Sequence, residues 1–269
     1  MTKPVTILVL TAAVVGLALV PARGVETTLA GVPAYHPTYY GCGPTAAGMI
    51  IGYWDGNGYG NLITGGDGSN SWTTNQAAVK AVIASQGHID DYWGAPDPLA
   101  AGHTDNCIAD FMLANRDPLA DGESDAQKQD NGLVGYAAYA GYTHAQGDWL
   151  YYGDQTLWDI LLGEIDAGRP MEFFVDVTND AEAEANHFVA VLGYRYDVGG
   201  GGEAVNREFA CHDCYDDGIH WHAFRGLAAG ETYGIETATW FNPAPEPATF
   251  GLLLSGAGVV VARCYRRKA

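Results

Sequence analysis

Basic side chains are scarce in this 269-residue chain: 13 Lys and Arg stand against 32 Asp and Glu, a formal charge of −19. So acidic a surface repels phosphate backbones, which argues against nucleic acid as a partner. Charged residues of both signs reach only 17%, while apolar residues make up 48% and aromatics 12%. Intrinsic disorder needs the opposite balance. Cysteine is scarce as well. Five in the whole chain are too few for a scaffold built on disulfides, so a hydrophobic core must hold the fold. The sequence has no internal repeat, and its 36 glycines follow no collagen-like period.

The ends read as processing segments. Residues 1–22 carry Lys3, an apolar run from Val5 to Val20, and then Pro21-Ala22, the pattern of a secretory signal peptide cleaved before Arg23. At the other end, Pro245-Glu246-Pro247 precedes an apolar run from Phe250 to Ala262 and a cationic tail with Arg263, Arg266, Arg267 and Lys268. A short membrane-inserting helix with a basic stop places that tail in the cytoplasm. The Pro-Glu-Pro motif, apolar helix and arginine cluster, in that order, resemble the PEP-CTERM sorting signal. That resemblance implies export, transient inner-membrane anchoring, and cleavage by an exosortase-type enzyme, leaving the protein in the periplasm, at the cell surface or in the extracellular matrix. Five basic residues lie in the two ends and no acidic ones, so residues 23–247 keep 8 basic against 32 acidic groups, a charge of −24.

Between the ends, residues 23–242 read as one domain and 243–269 as the sorting segment. Pro44-Thr45 opens a small and apolar run through Trp54, the pattern of a buried helix. A glycine-rich loop follows over 55–71, and 75–86 has helical spacing at Ala78, Val82 and Ile83. Residues 95–132 are polar, with one short helical stretch at Ile108–Leu113, and a loop that long usually carries function or a bound ion. Asp154 is placed to cap a helix that Gly168 and Pro170 end. Beyond it, Met171–Val177, His187–Tyr196, Glu208–Cys211, Ile219–Phe224 and Tyr233–Phe241 are short Val-, Phe-, Tyr- and Trp-rich runs between turns, the signature of antiparallel strands. Helices first and sheet second make an α+β domain.

Cys42 in Tyr40-Gly41-Cys42-Gly43-Pro44-Thr45 sits at the start of the first helix. Free N–H groups and about half a positive charge at a helix N-terminus would lower a thiol pKa and hold an oxyanion. The flanking glycines would leave the thiol uncrowded. His187 opens the apolar strand His187-Phe188-Val189-Ala190-Val191-Leu192-Gly193-Tyr194, and Asp213 ends the next one, Glu208-Phe209-Ala210-Cys211-His212-Asp213. Cysteine on a helix start, histidine on a strand start and a carboxylate one strand on form a nucleophile, a base and an orienting group in chain order.

Gly41-Cys42-Gly43-Pro44-Thr45-Ala46-Ala47 resembles the nucleophile motif of the double-glycine leader peptidase-like family of the papain clan. His187 to Tyr194 resembles that family's histidine strand, and Cys211-His212-Asp213 its later acidic strand. The resemblance covers residues 31–241. It implies a papain-like fold, with a helical part carrying the nucleophile and an antiparallel sheet carrying His and Asp. It further implies peptide or protein substrates, with Cys42 as nucleophile, His187 as general base and Asp213 as orienting carboxylate. The glutamine that such enzymes place about six residues before the nucleophile is replaced here by His36, which would have to donate into the oxyanion hole. A catalytically silent binding module of the matrix is the alternative reading. No cofactor is expected.

No metal ligand set is assigned either. Cys211, His212, Cys214, His220 and His222 crowd together, but a Cys211–Cys214 disulfide or two structural cysteines fits their short spacing better than zinc. Residues 55–61 superficially resemble a calcium loop, yet the twelfth position is Gly66. Asp67 and the acidic stretch 105–130 remain as carboxylate-rich loops. Trp149-Leu150-Tyr151-Tyr152 and Trp221 read as core or groove lining rather than a sugar platform.

Overall fold

A computed structural model describes residues 24–36, 41–65, 76–92, 103–116, 119 and 122–243; the signal-like and Pro-Glu-Pro segments and Asp67 lie outside them. The described elements run β1 (Val25–Thr28), α1 (Cys42–Gly56), α2 (Gln76–Ile83), α3 (Gln86–Tyr92), α4 (Ile108–Phe111), a 3-10 turn at Ala126–Lys128, α5 (Gln129–Tyr139), β2 (Gln146–Tyr151), α6 (Asp154–Asp166), β3 (Met171–Asp176), β4 (His187–Val198), β5 (Ala204–His212), β6 (His220–Ala223) and β7 (Gly234–Asn242). Among the described residues no helix is long and apolar enough to cross a membrane.

The seven strands form one sheet, six of them in the order β2-β7-β3-β4-β5-β6 with β1 paired to β4 off that row, and every named pairing is antiparallel. Strand β4 is its spine. It pairs with β3 along its first half, β1 along its second, and β5 on the opposite edge. Because side chains alternate across a strand, β4 sends Phe188, Ala190 and Leu192 to one face and Val189 and Val191 to the other. Each face has its own core. On the first, α1, α2, α4 and α5 pack Met49, Ile50, Ile83, Ile108 and Leu133 against the sheet. On the second, α6 packs Leu157, Trp158, Leu161 and Ile165 against Phe173, Val189 and Phe209. At roughly 1.5–3 kcal/mol for each large apolar side chain buried, two such layers make a core that does not rely on cross-links.

Several sequence expectations change here. Helix α1 begins two residues earlier than its Pro44-Thr45 signal, at Cys42 itself. Helix α5 starts in the last four residues of the polar tract 95–132 and runs on to Tyr139, because Leu133, Tyr136 and Ala137 are buried while its outer face is polar and glycine-containing. Asp154 does not cap α6: Gly153 holds that position, and the Asp154 carboxylate takes bonds from Tyr152 Oη and Arg207 instead. The Cys211–Cys214 disulfide is absent. All four described cysteines are free, with Cys211 in the α6-side core and Cys214 in the α1-side core. An odd spacing across the end of a strand sends the two thiols to opposite faces of the sheet. The same split keeps Cys211 and Cys214 from sharing one ion. Asp55 of the calcium-like loop is buried and accepts the Ile63 N–H at 2.8 Å.

Among the described residues, one buried carboxyl has no hydrogen-bond partner on either oxygen. It belongs to Glu172 of β3, which is 1% exposed. It lies across from Ala190 and Thr239. Burial raises its pKa well above the ordinary 4.5, so the folded state favours the neutral acid. The sign follows directly. The contribution to stability is complete below pH 4.5 and falls away as pH rises and the unfolded chain ionises. We expect Glu172→Gln to raise the melting temperature at about pH 8 and to change it little near pH 4. Equal shifts at both pH values would show that the carboxyl is not held neutral.

Candidate active site

The N-terminal turn of α1 abuts the start of β4. Gly41 adopts φ +85°, a region open to glycine, and a Cβ there would fall 2.0 Å from the Gly122 carbonyl oxygen. A Cβ on Gly43 would meet Ser124 Oγ at 2.2 Å. The two glycines therefore let the 122–124 segment close over the helix start. They do not leave the thiol open, as the sequence suggested. Between them Cys42 is partly buried and lines a cleft of about 370 Å³ with Gly41, Gly122, Ser124, Phe174, Asn186 and Phe188.

Main-chain N–H groups of Phe188, Gly43 and Cys42 itself act on the thiol and favour its ionised form. Phe188 follows His187, so the thiol sits beside the histidine's own peptide unit. Burial outweighs these groups and raises the Cys42 pKa above its ordinary 9.0. The magnitudes agree. A helix terminus contributes about 0.3–1 kcal/mol, less than one pKa unit, whereas full burial can shift a group by 3–5 units. The nearby acid Glu172 pushes in the same direction. The lowered thiol pKa expected from the helix start is thus reversed.

His187 is 5% exposed, and its ring lies flat against Tyr215, with centroids 4.8 Å apart and planes 8° apart. Its Nε2 meets the main-chain oxygen of Asp213 at 2.7 Å. A carbonyl only accepts, so Nε2 carries the proton and the neutral ring keeps its lone pair on Nδ1. Burial, the largest influence, lowers the His187 pKa, which holds the ring in that neutral form. Cys214, at φ +70°, reverses the chain between the carbonyl of Asp213 and the ring of Tyr215, placing one on the histidine's edge and the other on its face.

Asp213 therefore reaches His187, but through its backbone. Its carboxylate is occupied elsewhere: Oδ1 accepts from Tyr215 N at 3.0 Å and Oδ2 from Tyr233 Oη at 3.2 Å. These bonds hold the 213–215 turn, and so the histidine, at one remove. His36 takes another place again. Its Nε2 bonds Asp217 Oδ1 at 2.9 Å on the solvent side, and it is not among the residues lining the cleft. A buried donor that is there, Ser124 Oγ, has no hydrogen-bond partner. Sequence reasoning missed Ser124, Tyr215 and Glu172. Glu172 alone left a signal, as one acid inside an apolar strand.

The Peptidase_C39 like family model matches residues 27–233. Among curated proteins none matches this chain. A solved structure titled as the crystal structure analysis of SERA5E from Plasmodium falciparum aligns at 17% identity, over 35% of this chain and 46% of that one, with a TM-score of 0.24. This chain thus spans less than half of that protein, and so limited an overlap supports no argument.

A thiol kept neutral by burial has a recognisable pH signature. Alkylation of Cys42 by iodoacetamide should be slow at mildly acidic pH and keep accelerating past the ordinary thiol value of 9.0. The other three described thiols are buried and should stay unmodified in the folded protein. A rate already at its plateau near neutral pH would instead show a thiolate–imidazolium pair.

Proposed function

Because the chain belongs to the Peptidase_C39 like family, we propose that it is a cysteine peptidase cleaving peptide or amide bonds in protein or peptide substrates, with Cys42 and His187 as its reacting pair. The observation that carries this reading is the hydrogen bond from His187 Nε2 to the Asp213 carbonyl, which leaves Nδ1 as the basic nitrogen of a ring fixed next to the thiol's neighbour Phe188. As Sγ attacks the scissile carbonyl, Nδ1 takes the thiol proton. The oxyanion forms against the N–H groups at the start of α1, with the unpartnered Ser124 hydroxyl as a second donor in place of His36. The imidazolium then protonates the leaving amine, and the thioester remains. Water attacks it, passing a proton to Nδ1, which returns that proton to the sulfur as the acid product leaves. The neutral resting pair makes thiol deprotonation part of the attack itself.

The roles predict an unequal set of losses. Cys42→Ala and His187→Ala should each abolish thiol-dependent turnover of casein, with the double variant no worse, since the two act as one unit. Ser124→Ala should cost roughly 100-fold if its hydroxyl serves the oxyanion. Asp213→Asn should cost less than about tenfold, because the main-chain oxygen that meets His187 stays in place. Folded wild-type protein without turnover or labelling by a thiol-directed probe would return the chain to the silent binding module.

Export belongs to the same proposal. The signal-like residues 1–22 and the Pro-Glu-Pro segment after residue 242 support secretion, transient membrane anchoring and exosortase-type trimming. Intact-mass measurement of native material should give a chain from about Arg23 to the Pro245–Pro247 region. Retention of residues 250–269 would refute the trimming.

A further inference from the structure

The helical layer holds a second constellation that the peptidase chemistry does not use. Asp110 of α4 is fully buried, and one carboxylate gathers an unusual set of groups. Its Oδ1 lies 2.7 Å from His88 Nδ1 and 3.2 Å from Arg116 Nη2. Its Oδ2 lies 3.1 Å from Cys107 Sγ, 3.1 Å from His103 Nε2, and within hydrogen-bond distance of the Asn106 and Cys107 N–H groups. His88, Cys107 and Asp110 are each at most 1% exposed, and their ligand atoms lie within 4.8 Å of one another. None of these residues lines the Cys42 cleft.

His103 uses Nδ1 on Asp91 Oδ2, at 2.7 Å, and its own backbone N–H bonds the same oxygen at 2.9 Å, so the ring is held by an outer carboxylate while Nε2 faces Asp110. A histidine held in that way has the arrangement of a metal-ligating imidazole and its supporting acid. Arg116 is spoken for by Asp105, at 2.8 Å, as well as by Asp110, and its guanidinium stacks on Tyr92.

We propose that His88, Cys107 and Asp110 form a structural zinc site that ties α3 to α4, with His103, whose Nε2 lies 3.1 Å from Asp110 Oδ2, beside it to complete the set. Imidazole, thiolate and carboxylate together suit Zn²⁺ and disfavour the oxygen-seeking calcium and magnesium. Bonds of about 2.0–2.3 Å need ligand–ligand separations of roughly 3.3–3.8 Å, so His88 and Cys107, now 2.7 and 3.1 Å from Asp110, draw apart from it to admit the ion. Binding converts the Cys107 thiol to thiolate and releases its proton to solvent. The site gives a buried, unpaired thiol a purpose. It also gives the acidic 105–116 stretch an ion, though through Cys and His rather than calcium-type oxygens.

The test uses the full-length protein carrying Cys42→Ala, so that the working thiol cannot bind the probe. Elemental analysis after desalting should find about one zinc per chain. His88→Gln and Cys107→Ser should each lower that content at least about tenfold. His220→Gln, which breaks the surface group Asp213, Asp216 and His220, should leave it unchanged. Should the ligand variants fail to fold, chelator-treated parent protein titrated with Co²⁺ still decides. A near-ultraviolet thiolate-to-cobalt band saturating at one equivalent, and displaced by zinc, supports the site. Absence of metal together with absence of that band, or zinc content unchanged in folded Cys107→Ser, overturns it and leaves a network held by protons alone.

Discussion

Burial of β4 on both faces governs where every group at the site can lie. A strand with one face in water would leave its odd or even residues free to vary. Here Phe188, Ala190 and Leu192 face one apolar layer and Val189 and Val191 the other, so a slip of one residue would exchange two complete sets of contacts. That fixed register sets the height of His187 at the strand's first position. It also sets the Phe188 N–H, which favours the Cys42 thiolate, and the Phe188 oxygen, which takes the Cys214 thiol at 3.8 Å. The two candidate reacting residues are thus joined through one dipeptide of a strand that cannot move.

The same burial decides the electrostatics. A helix start pulls a thiol toward ionisation, and three N–H groups on Cys42 act in that direction. They lose to desolvation, because the 122–124 segment is drawn over the helix start by Gly41 and Gly43, and Glu172 lies close by. Desolvation also keeps His187 neutral. A single physical cause therefore raises one partner's pKa and lowers the other's, and the resting state is the uncharged pair.

The α+β order, the strand positions and the neighbourhood of Cys42, His187 and Asp213 were legible in the sequence because each rests on local signals. These are a Pro-Thr helix start, short runs rich in Val, Phe, Tyr and Trp, and turn residues between them. What was not legible depends on contacts between segments far apart in the chain. Helix α5 has a weak apolar stripe and many small polar residues, so its packing against α1 and α4 had no local trace. Whether Asp213 presents its carboxylate or its carbonyl depends on the left-handed turn at Cys214, which a sequence does not mark when the residue is not glycine. His36 was weighed by its distance along the chain from Cys42, whereas its ring is set by Asp217, 181 positions away.

The four described thiols show how the fold manages without cross-links. Cys211 and Cys214 lie three positions apart yet in opposite cores, Cys107 lies in the helical layer on Asp110, and Cys42 faces the cleft. Pairing Cys211 with Cys214 would require one of them to leave its core, exchanging a buried apolar contact and a formed register for one short-loop closure. A loop of so few residues restricts the unfolded chain little, so the entropic return is small, while removing a core side chain costs about 2–5 kcal/mol. The apolar layers therefore exclude the disulfide that the Cys-x-x-Cys spacing offers. Each thiol is left to the chemistry of its own surroundings: Cys211 as apolar filling, Cys214 at the turn beneath His187, and Cys42 where a substrate can reach it.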